Sequence, residues 1–360
     1  MKVAVYTVAL NEAKHVERWF NSTTEADIHL IGDTGSTDDT VKIAKKLGIT
    51  MVHLRVKPWR FDDARNALLA LLPEDVDYCI SLDVDEVLLP GWRDGLEKAL
   101  AEGIEWPRYD FVFAWHADGS PRIEFKGIKI HPRLGVRWRF PIHEIPESCV
   151  GHDFKHGDAV VTMHHFPDDE KSRSQYLDML KDAVVEDPRS PRLAYYLARD
   201  YYFAGQYTEA VQEFLRYLSL PDYYFPAEYC EAYRYLAKMQ PENAEYWLTQ
   251  AIRQESGRRE PFVDLAQHYS NTRQWRASLD FALKALSIEE PPGGFTQDSR
   301  AWSAQPHDLA ALAAYNIKNY ELAVEHGQKA VELEPSNERL TTNMAFYLAK
   351  LDELPVARSA

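Results

Sequence analysis

The stretch Ile80-Ser81-Leu82-Asp83-Val84-Asp85-Glu86 carries an apolar strand straight into three carboxylates. Residues Tyr78 to Leu82 read as a buried strand, so Asp83 and Asp85 project from its carboxyl end, the edge at which open α/β sheets bind ligands. Two carboxylates one residue apart on such a rim can share a hard divalent cation, magnesium or manganese, which in turn can hold a diphosphate. The alternative is a helix N-terminus, where acidic residues are common; Pro90 before an apolar-periodic run from Trp92 to Ala101 suits it.

Upstream, Val3 to Leu10 is a continuous apolar run of the kind covered on both faces in a parallel sheet. Asn11 is placed to cap a helix bearing Val16, Trp19 and Phe20. A second strand, Ile28 to Gly32, ends in Asp33-Thr34-Gly35-Ser36-Thr37-Asp38-Asp39-Thr40, where Ser36 and Asp38 suit a helix cap and Asp33 is left over. A third strand from Thr50 to Val56 and a helix from Asp63 through Leu72 follow. Arg65 then falls in a first helical turn, where a cation is electrostatically misplaced unless a ligand needs it. Alternating strands and helices with acidic strand ends describe a nucleotide-binding half of a doubly wound, mostly parallel sheet. The chain has no Gly-x-Gly-x-x-Gly and no Walker lysine motif, which sets aside dinucleotide and P-loop readings.

Four motifs in order, NE at 11 and 12, DTGSTDDT at 33 to 40, RNAL at 65 to 68 and LDVDE at 82 to 86, resemble family-2 glycosyltransferases of the GT-A fold. The resemblance implies a nucleotide-sugar donor, usually a UDP-sugar, held by Val8, Ala9, Leu10, Glu12, Asp33, Thr34, Arg65, Asp83 and Val84. Thr34 stands where many members carry a second acid. Asp83 and Asp85 would reach ribose and metal, and a histidine at the end of the domain, His164 or its neighbour His165, would complete the metal set. Downstream, short strands from Tyr109 lead to a basic stripe, six Lys or Arg and one Glu between Arg122 and Arg139, read as a groove for an anionic group. The His143-Glu144 pair follows, with Glu144 the first choice of general base for the acceptor and His143 the second.

From Pro188 the chain repeats. Ala198, Ala232, Ala266 and Ala311 are followed at offset 12 by Ala210, Ala244, Ser278 and Ala323, and after 7 more by Tyr217, Ala251, Ala285 and Ala330. Successive repeats are 34 residues apart, the tetratricopeptide period, except for a last step of 45 that places an 11-residue insertion within Pro291 to Ser303. A terminal helix from Asn337 to Leu351, with Ala345 in phase, would cap the stack. The tyrosines at 195, 196, 201, 202, 223, 224, 233 and 235 read mostly as core.

The expected organisation is therefore α/β followed by all-α, with a GT-A domain over residues 1–187 and tetratricopeptide-like repeats over 188–360. A chain of 360 residues with 45% hydrophobic residues supports two cores. A net charge of −15 disfavours a nucleic-acid partner. No run approaches the ~18 apolar residues of a membrane span, and three widely spaced cysteines suit reduced, packed thiols, so a cytoplasmic location is expected. The function expected is a metal-dependent inverting glycosyltransferase acting on a protein or peptide, with a homodimer through the repeats as an option. The alternatives are a cell-surface glycan or modified nucleobase as acceptor, or a catalytically dead repeat scaffold.

Overall fold

The computed structural model describes residues 1–116, 119–167, 175–220, 225–292, 294 and 296–353. Packing divides the chain into two units, Met1–Leu197 and Ala198–Ala360.

In the first unit β1 (Val3–Ala9), α1 (Val16–Ser22), β2 (Ile28–Asp33), α2 (Thr40–Lys46), β3 (Thr50–His53), α3 (Phe61–Leu71) and β4 (Tyr78–Ser81) alternate as expected. After them come β5 (Glu86–Leu88), α4 (Trp92–Ala101), β6 (Trp106–Trp115), β7 (Pro121–Gly127), β8 (Ile130–Pro132), β9 (Val136–Arg139), β10 (Ile145–Ser148), β11 (His156–His165) and α5 (Tyr176–Glu186). One sheet has the order β3-β2-β1-β4-β8, parallel through β4 and closed by antiparallel β8. The second is mixed, in the order β5-β11-β6-β7, and β9 with β10 forms a separate pair. Strand β1 is buried on both faces, Val3 and Val5 toward a core with Trp19, Ile80, Trp92 and Met163, and Ala4 and Tyr6 toward one with Leu68, Cys79 and Trp138. The strand order reverses between β1 and β4, which opens a crevice at their carboxyl ends.

Helix α6 (Pro191–Phe203) runs across the division at Leu197, which falls later than the break expected after residue 187. Its first half is held by the first unit: Arg192 Nε donates to the His143 carbonyl at 3.0 Å, and the Tyr196 ring stacks on His143 with centroids 3.9 Å apart.

The second unit continues with α7 (Tyr207–Ser219), α8 (Pro226–Met239), α9 (Ala244–Gln254), α10 (Glu260–Asn271), α11 (Trp275–Leu286), α12 (Gln305–Asn316), α13 (Tyr320–Leu333) and α14 (Glu338–Asp352). All twelve positions named in the four repeats are buried, eleven of them Ala or Ser whose small side chains let paired helices approach and the twelfth Tyr217. Where serine replaces alanine, Ser278 Oγ donates to the Ala266 carbonyl at 2.9 Å and so satisfies itself inside the pair. Among the tyrosines, 195, 196 and 235 are buried and 201, 202 and 233 half-buried, while 223 and 224 lie outside the described residues. Ala345 is exposed, and Leu340 and Tyr347 are the buried residues of α14, since among the described residues no further helix covers the face carrying Ala345.

The insertion between α11 and α12 is tied back to earlier repeats. The Asp298 amide and the Trp302 indole both donate to Glu260 on α10, at 3.1 and 3.3 Å, and Arg234 on α8 reaches Asp298 at 3.4 Å. Cys79 and Cys230 are buried thiols whose pKa is pushed up to about 12 by burial, and Cys149 is exposed.

Candidate active site

The loops after β1 and β2 are laced to each other. The Asp33 carboxylate accepts the Gly35 and Ser36 amides at 3.2 and 3.1 Å, so this strand-end acid builds the turn that Gly35 completes at φ +114°. Ser36 accepts the Asn11 amide rather than capping α2, and Asn11, in the left-handed region at φ 56°, accepts the Thr37 amide rather than capping α1. Asp38 accepts the amides of Thr40 and Ala13, and Thr40 Oγ1 accepts the Glu12 amide. Thr34 bonds the Ala9 carbonyl through both its amide and its hydroxyl, which fixes the end of β1. Val8 is half-buried and Leu10 half-exposed at this rim.

Arg65 is the centre of the site. Helix α3 starts at Phe61, so Arg65 lies past the first turn and is buried, not at an exposed N-terminus. Its guanidinium donates from Nε to Glu144 at 2.7 Å, from Nη1 to Ser81 Oγ at 2.6 Å and from Nη2 to Asp83 at 2.7 Å, and it lies over the Trp138 ring. Asn66 beside it exchanges two hydrogen bonds with the Trp138 backbone, locking α3 to β9. These contacts bring Asp83 and Glu144 to one guanidinium.

Lys129, immediately before β8, donates to Asp83 at 2.6 Å and to the buried Glu86 at 2.8 Å. Burial alone would raise the Asp83 pKa, but Arg65 and Lys129 outweigh it and hold the carboxyl well below its usual range. For Glu86 burial wins and the pKa is raised. The rest of the basic stripe is dispersed over three strand groups. Lys126 pairs with Asp110 at 2.6 Å, Arg133 with the Leu72 carbonyl at 2.9 Å, and Arg139 with Asp187 at 2.9 Å. The expected anion groove along that stripe is thus not assembled, and Lys129 is its contribution to the acidic rim.

On Asp85 the two histidines separate. His165 is buried, its Nδ1 donates to the Phe113 carbonyl at 3.0 Å, and its Nε2 faces Asp85 at 3.5 Å. Burial works against charge on His165, and the Asp85 carboxylate outweighs it, so its pKa is raised. His164 points to the other face of β11, its ring edge-on to Trp115 with centroids 4.7 Å apart. Among the described residues no three His, Cys, Asp or Glu side chains form a metal cluster. A divalent cation that displaced the proton shared by Asp85 and His165 Nε2 would find one carboxylate oxygen and one imidazole nitrogen there, with the Phe113 carbonyl holding the other ring proton on Nδ1, and would draw its other ligands from phosphate oxygens and water. Sequence reasoning missed Lys129 and Glu86. Their signal was a lysine within the basic stripe and an acid following Asp-x-Asp.

His143 sits in the left-handed region at φ 53° with its ring on Tyr196, beside the Glu144 that meets Arg65. Among the described residues no helix is long and apolar enough to cross a membrane.

Residues 4–115 match the family model described as glycosyl transferase family 2. An uncharacterized glycosyltransferase of Rickettsia bellii is 33% identical over 101 residues, 28% of this chain and 33% of that protein. A counterpart in Rickettsia conorii is 33% identical over 28% of this chain and 34% of its own length. The chain thus spans about a third of the length of these relatives. Among solved structures, MamA superposes at a TM-score of 0.37 with 19% identity, over 45% of this chain and 89% of MamA. YrrB, described as a TPR protein with an unusual peptide-binding site, superposes at 0.37 with 18% identity, over 47% of this chain and 81% of its own. The repeat architecture here rests on its own helix pairs and their buried small residues. The resemblance carried by the four motifs is borne out: in residues 4–115 this chain is similar to glycosyl transferase family 2.

Proposed function

We propose that the chain is a metal-dependent inverting glycosyltransferase that moves a sugar from a nucleotide-sugar, UDP-linked, to a protein or peptide. The observation that carries this reading is the meeting of Asp83, Arg65 and Glu144 at the crevice where the strand order reverses, within and just beyond the residues that match the family. The laced loops bearing Val8, Ala9, Leu10, Glu12, Asp33 and Thr34 form the wall for base and ribose, with Asp83 and Val84 at its end. Asp85 and a histidine of the 164–165 pair, His165 by its geometry, would hold the divalent cation, magnesium or manganese, on the rim that Asp83 shares. When bound, that ion neutralises charge on the leaving nucleoside diphosphate.

Glu144, or His143 beside it, takes the proton from the acceptor hydroxyl as its oxygen bonds the anomeric carbon and the sugar–phosphate bond breaks. Attack opposite the leaving group inverts the centre. Arg65 holds the Glu144 and Asp83 carboxylates in place through two charge-assisted hydrogen bonds. The helical repeats offer a surface suited to an extended chain, which favours a protein or peptide acceptor over a free sugar, and a second copy of the chain is a further partner of the same kind. A cytoplasmic setting belongs to this proposal. The test is incubation of the whole chain with a panel of UDP-glucose, UDP-galactose, UDP-N-acetylglucosamine and GDP-mannose, with manganese or with chelator, following release of nucleoside diphosphate. Release that needs both a sugar nucleotide and the metal supports the reading; no release or binding with any of them refutes it.

A further inference from the structure

The Asp83–Glu86 turn is held from two sheets by one buried ion pair. Glu86 opens β5 and pairs with His165 on β11 in the second sheet, while its carboxylate accepts the Asp83 amide at 2.9 Å at the end of the first. The Glu86 amide returns a bond to the Asp83 carbonyl at 2.9 Å. Lys129 closes the arrangement from the other side. Its carbonyl accepts the Ser81 amide at 3.0 Å, and its ammonium bridges the Asp83 and Glu86 carboxylates. The Glu86 side chain is 3% exposed and that of Lys129 23%, so the carboxylate has been taken almost wholly out of water and the ammonium in large part.

A buried ion pair is a poor device for stability, because an apolar pair of the same volume does as well at no desolvation cost. What it supplies is direction. The Lys129 ammonium can bridge both carboxylates only when the turn between them has one shape, and that shape fixes Asp83 relative to Asp85 and His165.

We infer that Lys129 and Glu86 are positioning residues, acting through Asp83 and Asp85 to set the distance between the Arg65–Glu144 side of the site and the Asp85–His165 side. The inference rests on the function proposed above, and neither residue touches the reacting atoms.

The test uses the full chain with Lys129→Met, Lys129→Arg and the double variant Lys129→Met/Glu86→Leu, the last removing both charges so that neither is left buried alone. Turnover of whichever sugar nucleotide of the panel the wild type hydrolyses is read as kcat and KM, beside the melting temperature and a crystal structure of each. The double variant is expected to fold and to lose about 100-fold in kcat, the effect of a displacement near 1 Å, with KM little changed because the loops after β1 and β2 remain. Lys129→Arg, which keeps the charge, is expected to recover about tenfold of what Lys129→Met loses. Wild-type kcat in a folded double variant overturns the inference, as does an unmoved Asp83–Glu86 turn in its crystal structure. If the wild type neither binds nor hydrolyses any donor, the proposed function fails; the crystal structures then still decide whether the pair sets the turn.

Discussion

Arg65 donates from Nε to the Glu144 carboxylate at 2.7 Å, joining a helix in the first parallel half of the sheet to a residue 79 positions later in the chain. The same guanidinium carries Asp83, so the residue proposed as base and the first acid of the Asp-x-Asp rim are geometrically one unit. Displacing either must disturb the other.

Arg65→Lys is therefore not a conservative change. A lysine has one compact ammonium where arginine serves Glu144, Ser81 and Asp83 through three nitrogens of a planar fork. Leaving one of these carboxylates uncompensated is expected to cost roughly 3–5 kcal/mol of stability and at least 100-fold in turnover. Denaturant unfolding and nucleotide release measure the two losses, and a variant with both intact would show that the fork is dispensable.

The parity of β11 gives a paired test of the proposed metal site. His165→Ala should raise the manganese concentration needed for half-maximal activity by about 10- to 100-fold, while His164→Ala should leave it within about twofold. The opposite ranking would move the ligand to His164. In the same assay, a UDP-sugar should raise the melting temperature with manganese and not with chelator, since a diphosphate and Asp85 repel one another without the ion.

Glu144→Gln keeps a polar partner for Arg65 but no longer accepts a proton. Turnover is expected to fall roughly 10²- to 10⁴-fold with donor affinity little changed. Should His143→Ala show that loss while Glu144→Gln does not, the roles of the two residues are exchanged.

In the repeats, His307 and His326 face each other with Nδ1 atoms 2.9 Å apart. Burial, then the neighbouring His326, Lys329 and Arg259, push the His307 pKa down to about 4, and burial lowers that of His326 as well. The unfolded chain, with histidines near 6.5, binds more protons than the folded one between these values, so stability rises with pH across that window. Melting temperature is expected to fall as pH drops from about 6.5 toward about 4, and the His307→Gln/His326→Gln variant should show a shallower fall. Equal slopes would remove the pair from the acid response.

Ala266→Leu tests the repeat packing. Its position is fully buried against the paired helix, so the added carbons have no room, and a loss of about 1–3 kcal/mol is expected in chemical denaturation.

What was legible in the sequence were the features with a local period: β1 as an unbroken apolar run, α4 beginning at Trp92, and the small residues recurring at 34. What was hidden depends on pairings made far apart in the chain. Lys129 reaches Asp83 because β8 lies antiparallel to β4, which nothing in the basic stripe reveals. His164 and His165 differ by one residue, and although β11 alternates regularly, with Ala159, Val161, Met163 and His165 inward, which face meets Asp85 depends on its antiparallel pairing with β5, which the sequence does not reveal. Asp33, read as left over from its turn, proved to build it.

The Asp298 anchor alters how the helical array should come apart. A solenoid whose repeats touch only their immediate neighbours unravels piecemeal, its free energy a sum of units and adjoining joints. Here a segment between the third and fourth helix pairs grips Glu260 on α10 and, one pair further back, Arg234 on α8. That second-neighbour link ties the melting of distant helices into one event. The array should lose its helicity in a single steep transition, and cutting the link with Asp298→Ala should broaden it before it lowers the midpoint.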